Sequence, residues 1–284
     1  MKKYLVLLFL ILVLSGGIAA IFAPKDFDAR EEMVFQVEPG QGFKEIAENL
    51  EKEGLIWWSP FFKVYALASG KAKNLQAGSY FISPSMSIPR IVQKLASGDI
   101  ASAKITFAEG FTSEQIYQKL KNITDVSKTA LQAHEGYLFP DTYQIAYGAS
   151  EEKIIKMMRD NFEKKTAGLE ITPEIVIMAS LLEKEVKTRQ EKELAAGVLW
   201  KRLRAGIPLQ VDAAPETYQR LGLPEKPICN PGLESLLAAL HPQDSPYWYY
   251  LSKPDGVTIF QKTLDEHNAA KARYLRRRGA SEQL

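Results

Sequence analysis

The first half of the chain carries one pattern of apolar and polar residues three times in the same register. The copies are "VEPGQGFKEIAENL" (Val37–Leu50), "ISPSMSIPRIVQKL" (Ile82–Leu95) and "FAEGFTSEQIYQKL" (Phe107–Leu120). Each copy begins with the apolar end of a strand-like run and passes through a turn rich in proline, glycine or serine. An isoleucine and a leucine then follow four residues apart, the spacing of the inner face of a short amphipathic helix. The pattern predicts a strand, a turn and a helix, used repeatedly.

The second half of the chain, from about Gly136, changes to longer helices and loops that contain proline. Ser150 and Thr172 are residues that commonly begin helices, and Pro173 then occupies a favourable first helical position. Further on, the stretch "YWYYLSKPDGVTIF" places two β-prone runs around a Pro-Asp-Gly turn, which predicts a hairpin. Helices and short strands together predict an α+β fold.

The N-terminal segment is uncharged and mostly apolar from Tyr4 to Ala23, directly after Lys2 and Lys3. Twenty helical residues span about 30 Å, the thickness of the apolar core of a bilayer. The run is longer than that of an ordinary cleaved signal and lacks a clear cleavage site. We therefore expect an uncleaved transmembrane helix over residues 4–23, with the N-terminus in the cytoplasm and the rest of the chain outside the membrane.

Composition excludes several classes of function. The 284 residues are 46% hydrophobic and 25% charged, and the formal net charge of +2 gives no overall field that would attract nucleic acid. With Cys229 as the only cysteine, no intramolecular disulfide and no cysteine-based zinc site can form. Only three histidines are present. We predict no metal, no organic cofactor and no nucleic-acid partner.

Two glutamates stand where an apolar helix ends, in "ITPEIVIMASLLEKEVKTR" (Ile171–Arg189). Glu183 and Glu185 lie about 160° apart around a helix and flank its apolar stripe on opposite sides. They could form surface ion pairs with Lys187 and Arg189, four residues further on. Alternatively, one of them has a raised pKa and donates a proton in catalysis. The periodicity alone does not separate these possibilities.

The segment "IMASLLEKEV" resembles the signature helix of the endolytic murein transglycosylases, the YceG-like family. Further stretches resemble the same family in the same order, namely "LQAGSYFISPSMSIPRIVQKLASG", "EGYLFPDTYQI", "VLWKRLRAGIPLQVD", "KPICNPGLESLLAALHPQDSPYWYYLS" and "TIFQKTLDEHN". The resemblance implies a membrane anchor in residues 1–24, a LysM-like peptidoglycan-binding α+β domain in residues 25–122, and a mixed α+β catalytic domain in residues 123–284.

The resemblance also implies an activity. Such enzymes cut the bond between N-acetylmuramic acid and N-acetylglucosamine in nascent glycan strands, leave 1,6-anhydro ends, and stop strand elongation beside cell-wall synthases, the penicillin-binding proteins. The resemblance makes Glu183 the acid, which protonates the bridging oxygen and then, as carboxylate, takes the proton of the muramyl C6 hydroxyl. Glu185 is assigned to structure. The implied substrate-binding residues are Gln210, Asp212, Thr217, Tyr218 and Asn230.

One segment departs from the family pattern. The stretch "LQVDAAPETYQRLGLPEKPI" lacks an insertion that relatives usually carry, and Glu216 stands where an asparagine is expected. Two alternatives stay open. One, which the shortened loop supports, is a weak or inactive scaffold, tethered to the membrane, that binds peptidoglycan. The other is a glycoside hydrolase in which Asp212 or Glu216 holds the attacking water. The chemical ends of the products distinguish all three possibilities.

Overall fold

The computed structural model of the protein describes residues 2–274, which divide into two compact units built from interleaved segments. Unit 1 comprises residues 2–104 and 144–149, and unit 2 comprises residues 105–143 and 150–274. This division does not coincide with the domain boundary predicted at residue 122, because the whole third sequence repeat belongs to unit 2. The assignment of a LysM-like domain and a catalytic domain to residues 25–122 and 123–284 stays a prediction.

Unit 1 is a small α+β unit in which the first two sequence repeats form as predicted. Its elements are α1 (Lys2–Phe22), β1 (Met33–Val37), α2 (Phe43–Lys52), α3 (Ser59–Ala68), β2 (Gly78–Ile82) and α4 (Ile88–Ser97). Strands β1 and β2 pair in antiparallel fashion, with Phe35 opposite Tyr80. The isoleucine and leucine of each repeat point into one core, because Ile46, Leu50, Ile91 and Leu95 are all fully buried.

Helix α1 covers the segment predicted to cross the membrane. Its C-terminal end packs within unit 1, where the Phe22 ring meets Tyr65 edge to face at 6.2 Å between centroids and Ile21 contacts the core. Among the residues that the structure describes, none of the helices has both the length and the apolarity needed to span a bilayer. The structure therefore does not support the transmembrane helix predicted over residues 4–23.

Unit 2 contains several helices and a C-terminal hairpin. The strands β3 (Ser102–Thr106) and β4 (Thr142–Ala146) pair with each other, and the division between the units passes through both. The other elements are α5 (Ser113–Leu120), α6 (Lys128–Gln132), α7 (Glu151–Lys165), α8 (Pro173–Glu185), α9 (Arg189–Arg204), a 3₁₀ helix (Pro215–Tyr218), α10 (Leu233–Leu240), β5 (Tyr249–Ser252), β6 (Thr258–Gln261) and α11 (Leu264–Tyr274). Strands β5 and β6 form the predicted hairpin.

Helix α8 forms the centre of unit 2. It begins after Thr172, whose side chain accepts a hydrogen bond from the Ile175 amide at 3.4 Å. It ends at Glu185, because Val186 has an extended backbone. The helix is apolar nearly all round and is accordingly enclosed, with the buried residues Val176, Ile177, Met178, Ala179, Ser180, Leu181 and Leu182. The two glutamates therefore lie in the last turn of a buried helix.

Helix α9 passes very close to the segment that leads into the hairpin. A Cβ atom on Gly197 would lie 2.0 Å from the backbone oxygen of Gln243. The Gln243 amide in turn donates to the carbonyl oxygen of Glu193 at 2.9 Å. Because only glycine permits this approach, the chain lies directly on α9 before it enters β5. In β5, the Tyr250 hydroxyl lies 3.5 Å from Oε2 of Glu185 at the end of α8.

Candidate active site

Glu183 joins the three central helices of unit 2. Its Oε1 accepts a hydrogen bond from the Lys192 ammonium on α9 at 3.1 Å. Its Oε2 accepts from the Gly232 amide at 2.9 Å and the Ser235 hydroxyl at 2.7 Å, both at the start of α10. The side chains of Glu183 and Lys192 are only 8% and 3% exposed. Both oxygens of this carboxylate are thus engaged inside the protein, where its charge complements the N-terminus of α10.

Glu185, two residues further, lines an open cavity of about 320 Å³. Its Oε1 accepts from the Ala213 amide at 3.3 Å, and the Tyr250 hydroxyl lies 3.5 Å from its Oε2. Burial raises the pKa of the Glu185 carboxyl, and the nearby charge of Asp212 acts in the same direction. Burial also raises the pKa of the Tyr250 phenol well above its ordinary value, so this hydroxyl remains a donor.

Neither of the surface ion pairs considered for these glutamates is present. Glu183 pairs with Lys192 instead of Lys187, and Arg189 pairs with Glu193 at 2.9 Å. The reason is the end of α8 at Glu185, since residues beyond it no longer continue the helical spacing that brings positions i and i+4 together.

Three of the predicted binding residues lie in the cavity with Glu185. They are Gln210, Asp212 and Tyr218. The Tyr218 hydroxyl donates a hydrogen bond to Asp212, and burial together with the Asp212 charge raises the pKa of Tyr218 to about 12. Gln210 has a positive backbone φ of 57° and accepts a hydrogen bond from Arg202 at 2.7 Å. A strained residue of this kind is typical of functional sites.

The other two predicted binding residues are buried and act within the protein. Thr217 is 1% exposed, and its hydroxyl donates to the Ala214 carbonyl at 2.7 Å. Asn230 is likewise 1% exposed, and its Oδ1 accepts from the amides of Gly136 at 2.8 Å and Leu138 at 3.0 Å. Thr217 fixes the loop that carries Asp212, whereas Asn230 holds two loops together. Neither lines the cavity of Glu185.

Of the two carboxylates considered for a hydrolase, only Asp212 shares the cavity with Glu185. Glu216 lines a separate hollow of about 510 Å³ together with Glu135 and Arg220. Glu216 lies within the short 3₁₀ helix, next to the buried Thr217, whereas Asp212 precedes that helix in the chain.

Several cavity residues were missed in the sequence, among them Arg202 and Tyr250. Arg202 follows Leu199 by three positions and Ala195 by seven, so it falls on the buried face of α9. A charge at an apolar helical position is a signal that could have identified it. Tyr250 has no comparable signal, because the aromatic run "YWYY" gives no indication of which ring faces the cavity.

The arrangement is suited to general acid catalysis. Glu185 has a raised pKa, so it remains protonated to a higher pH than an ordinary carboxyl, while exposed Asp212 lies close enough to influence it. Tyr218, Tyr250 and Gln210 supply groups that can bind sugar hydroxyls and N-acetyl groups. Within residues 2–274 there is no cluster of His, Cys, Asp and Glu side chains arranged to hold a metal ion.

Comparison with known proteins identifies the family. The model of the YceG-like family matches residues 35–216 and 216–273, and the two matches meet in the shortened loop. An endolytic murein transglycosylase of Bacillus subtilis is 30% identical, over 90% of this chain and 88% of the relative. One from Streptococcus pneumoniae is 24% identical, over 95% of this chain and 64% of the relative. A crystal structure of a YceG-like protein from Listeria monocytogenes has a TM-score of 0.51 and 26% identity, covering 85% of this chain and 99% of that one. The chain belongs to the YceG-like family.

Proposed function

We propose that this protein is an endolytic lytic transglycosylase that cuts the glycan strands of peptidoglycan. The observation that carries the proposal is the position of Glu185, a carboxyl of raised pKa in a cavity that also contains Gln210, Asp212 and Tyr218. The relatives named endolytic murein transglycosylase support the same activity. The substrate is the alternating polymer of N-acetylmuramic acid and N-acetylglucosamine.

Glu185 serves as the acid and then as the base. Its carboxyl proton passes to the bridging oxygen, the bond from that oxygen to the muramyl C1 breaks, and positive charge develops at C1. The carboxylate of Asp212 stabilises this charge from the same cavity. The muramyl C6 hydroxyl then forms a bond from its oxygen to C1, and its proton passes to the Glu185 carboxylate. The product is a 1,6-anhydro end, no water is consumed, and Glu185 regains its proton.

The geometry favours Glu185 over Glu183 as the acid. Both oxygens of Glu183 accept hydrogen bonds inside the protein, one of them from the Lys192 ammonium. Glu185 differs, since burial and the charge of Asp212 raise its pKa and the cavity gives a sugar access to it. The assignment of the acid to Glu183, which the sequence resemblance implied, stays a prediction that the same assays test.

Mass spectrometry of digested peptidoglycan tests the activity. We expect the full-length protein to release fragments whose muramyl ends are lighter by one water molecule than reducing ends, which identifies the anhydro form. Reducing ends would contradict the proposal and indicate a hydrolase in which Asp212 holds the water. Retention of glycan without any cleavage would indicate the binding scaffold, and the shortened loop around Glu216 would then be the first segment to restore.

We further propose that residues 4–23 attach the protein to the cell membrane with the N-terminus in the cytoplasm, and that cleavage beside cell-wall synthases terminates strand elongation. The apolar sequence of this segment and the preceding Lys2 and Lys3 support the location. We expect deletion of residues 4–23 to move the protein into the soluble fraction and to lengthen the glycan strands. An unchanged membrane fraction after the deletion would contradict the proposed attachment.

A further inference from the structure

Arg202 is a buried cation on the wall of the candidate active site. It extends from α9, lines the cavity of Glu185, and is only 6% exposed. One of its terminal nitrogens donates to Gln210 at 2.7 Å, and its guanidinium lies over the ring of Tyr249, 5.4 Å from the centroid. Its Nε is buried and has no hydrogen-bond partner in the structure. A buried donor without a hydrogen-bond partner usually marks the place of a ligand or a water molecule.

Within the described part of the chain, no carboxylate forms an ion pair with Arg202. This is unusual, because buried charges in proteins are normally paired. The two acidic groups of the cavity are engaged elsewhere, Glu185 with Ala213 and Asp212 with Tyr218. Lysines 184 and 271 also line the cavity. The cavity lining therefore contains three cationic side chains, Arg202, Lys184 and Lys271, against the two carboxyl groups of Glu185 and Asp212.

The chemistry of the Arg202 guanidinium indicates which ligand it would bind. A guanidinium binds a carboxylate through two parallel hydrogen bonds, and it is weakly hydrated enough to do so in a buried site. In the proposed substrate, N-acetylmuramic acid bears a lactyl side chain, whereas N-acetylglucosamine bears none. The lactyl carboxyl is free in glycan stripped of peptide, and in other glycan it is linked to a stem peptide that has carboxylates of its own.

We propose that Arg202 binds a carboxylate on the side chain of the muramic acid residue next to Glu185. This inference rests on the proposed function. Recognition of that side chain selects the muramyl sugar for the cleavage position, so that its C6 hydroxyl is the one that closes on C1. It also accounts for the contact of Arg202 with Gln210, because both residues then hold the same sugar.

A purely structural role predicts a different result. If Arg202 only supports Gln210 and Tyr249, its replacement weakens the binding of every glycan equally, whether charged or neutral. If it binds a carboxylate, its replacement weakens only the binding of ligands with that group. The ratio of two affinities therefore separates the two roles, and the affinity for the neutral ligand reports whether the cavity is intact.

The experiment measures binding by calorimetry to the full-length protein in which Glu185→Gln prevents turnover. The ligands are a tetrasaccharide of N-acetylglucosamine and N-acetylmuramic acid with free lactyl carboxyls, its methyl ester, and the same sugar with stem peptides. We expect the free acid to bind about tenfold more tightly than the ester. Arg202→Gln should remove this preference and Arg202→Lys should reduce it. Arg204→Gln, an exposed arginine two residues further on α9, should keep it.

The peptide-bearing sugar identifies the source of the carboxylate. Tight binding that depends on Arg202 assigns the contact to the stem peptide, and weak binding like that of the ester assigns it to the free lactyl group. Equal affinity for acid and ester before Arg202 is changed, or a preference that survives Arg202→Gln, would overturn the inference. If Arg202→Gln does not fold, Arg202→Lys decides by the same ratio. An Arg202-dependent preference in a protein that releases no anhydro ends would reject only the proposed activity.

Discussion

The substitution Glu185→Gln is expected to lower the rate of formation of anhydro-muramyl ends by about 10³-fold, the usual range for loss of a general acid. Glutamine keeps the size of the side chain, and its oxygen can still accept from the Ala213 amide. It carries no proton that can be transferred to the bridging oxygen. We therefore expect the fold and the binding of glycan to remain while cleavage is lost. Anhydro ends released from peptidoglycan and counted by mass spectrometry give the rate.

Glu174→Gln provides the matched control, since Glu174 lies at the other end of α8 and is exposed. Its replacement should leave the rate unchanged. If Glu185→Gln retains full activity while a folded Glu183→Gln protein has none, the acid is Glu183, as the sequence resemblance implied.

The pH dependence of cleavage provides a second test of Glu185. Catalysis starts from the protonated carboxyl, and burial raises its pKa above that of an ordinary glutamate. The rate should therefore be maintained at a pH where an exposed glutamate has already ionised, and it should fall as pH rises further through the raised pKa. Asp212→Asn removes the neighbouring negative charge, so this fall should move to lower pH. A fall that does not move would show that Asp212 has no influence on the acid.

The substitution Glu183→Gln is expected to lower the free energy of unfolding by about 4 kcal/mol, the magnitude found when one partner of a buried ion pair is removed. Lys192 would then be left without its carboxylate, although its side chain is only 3% exposed. The Gly232 amide and the Ser235 hydroxyl would also lose a charged acceptor at the start of α10. Urea denaturation followed by circular dichroism measures the change.

A double substitution separates the ion pair from other effects of the change. Glu183→Gln combined with Lys192→Met should recover most of the lost stability, because no unpaired charge is left in the interior. Glu193→Gln is the surface control, since it breaks the ion pair of Glu193 with Arg189 and should cost about 0.5 kcal/mol. A Glu183→Gln protein as stable as the original would show that Glu183 does not hold the three helices together.

Much of the fold could be predicted from the sequence because the relevant signals are local. The spacing of Ile46 and Leu50, and of Ile91 and Leu95, correctly predicted the helices whose inner faces form one core. The Pro-Asp-Gly turn correctly predicted the hairpin of β5 and β6. The division into units was not predictable in this way, since it depends on contacts between segments that are distant in the chain.

The candidate site was only partly predictable, for a physical reason. Helical periodicity places Glu183 and Glu185 on opposite sides of α8, yet it does not show which side meets another helix and which side meets a cavity. That depends on Lys192 and Ser235, which reach Glu183 from α9 and α10. Residue type was equally ambiguous for Asn230. Its side-chain amide could bind the N-acetyl group of a sugar, but in the structure it accepts hydrogen bonds from two backbone amides.

The interleaving of the two units has a consequence for the synthesis of the protein on the ribosome. Residues 144–149 belong to unit 1, although residues 105–143 of unit 2 precede them in the chain. The ribosome must therefore make almost forty residues of the second unit before the first has all of its parts. A shorter gene product beginning at residue 123 would lack β3 and α5, so one cut in the chain does not give two complete halves.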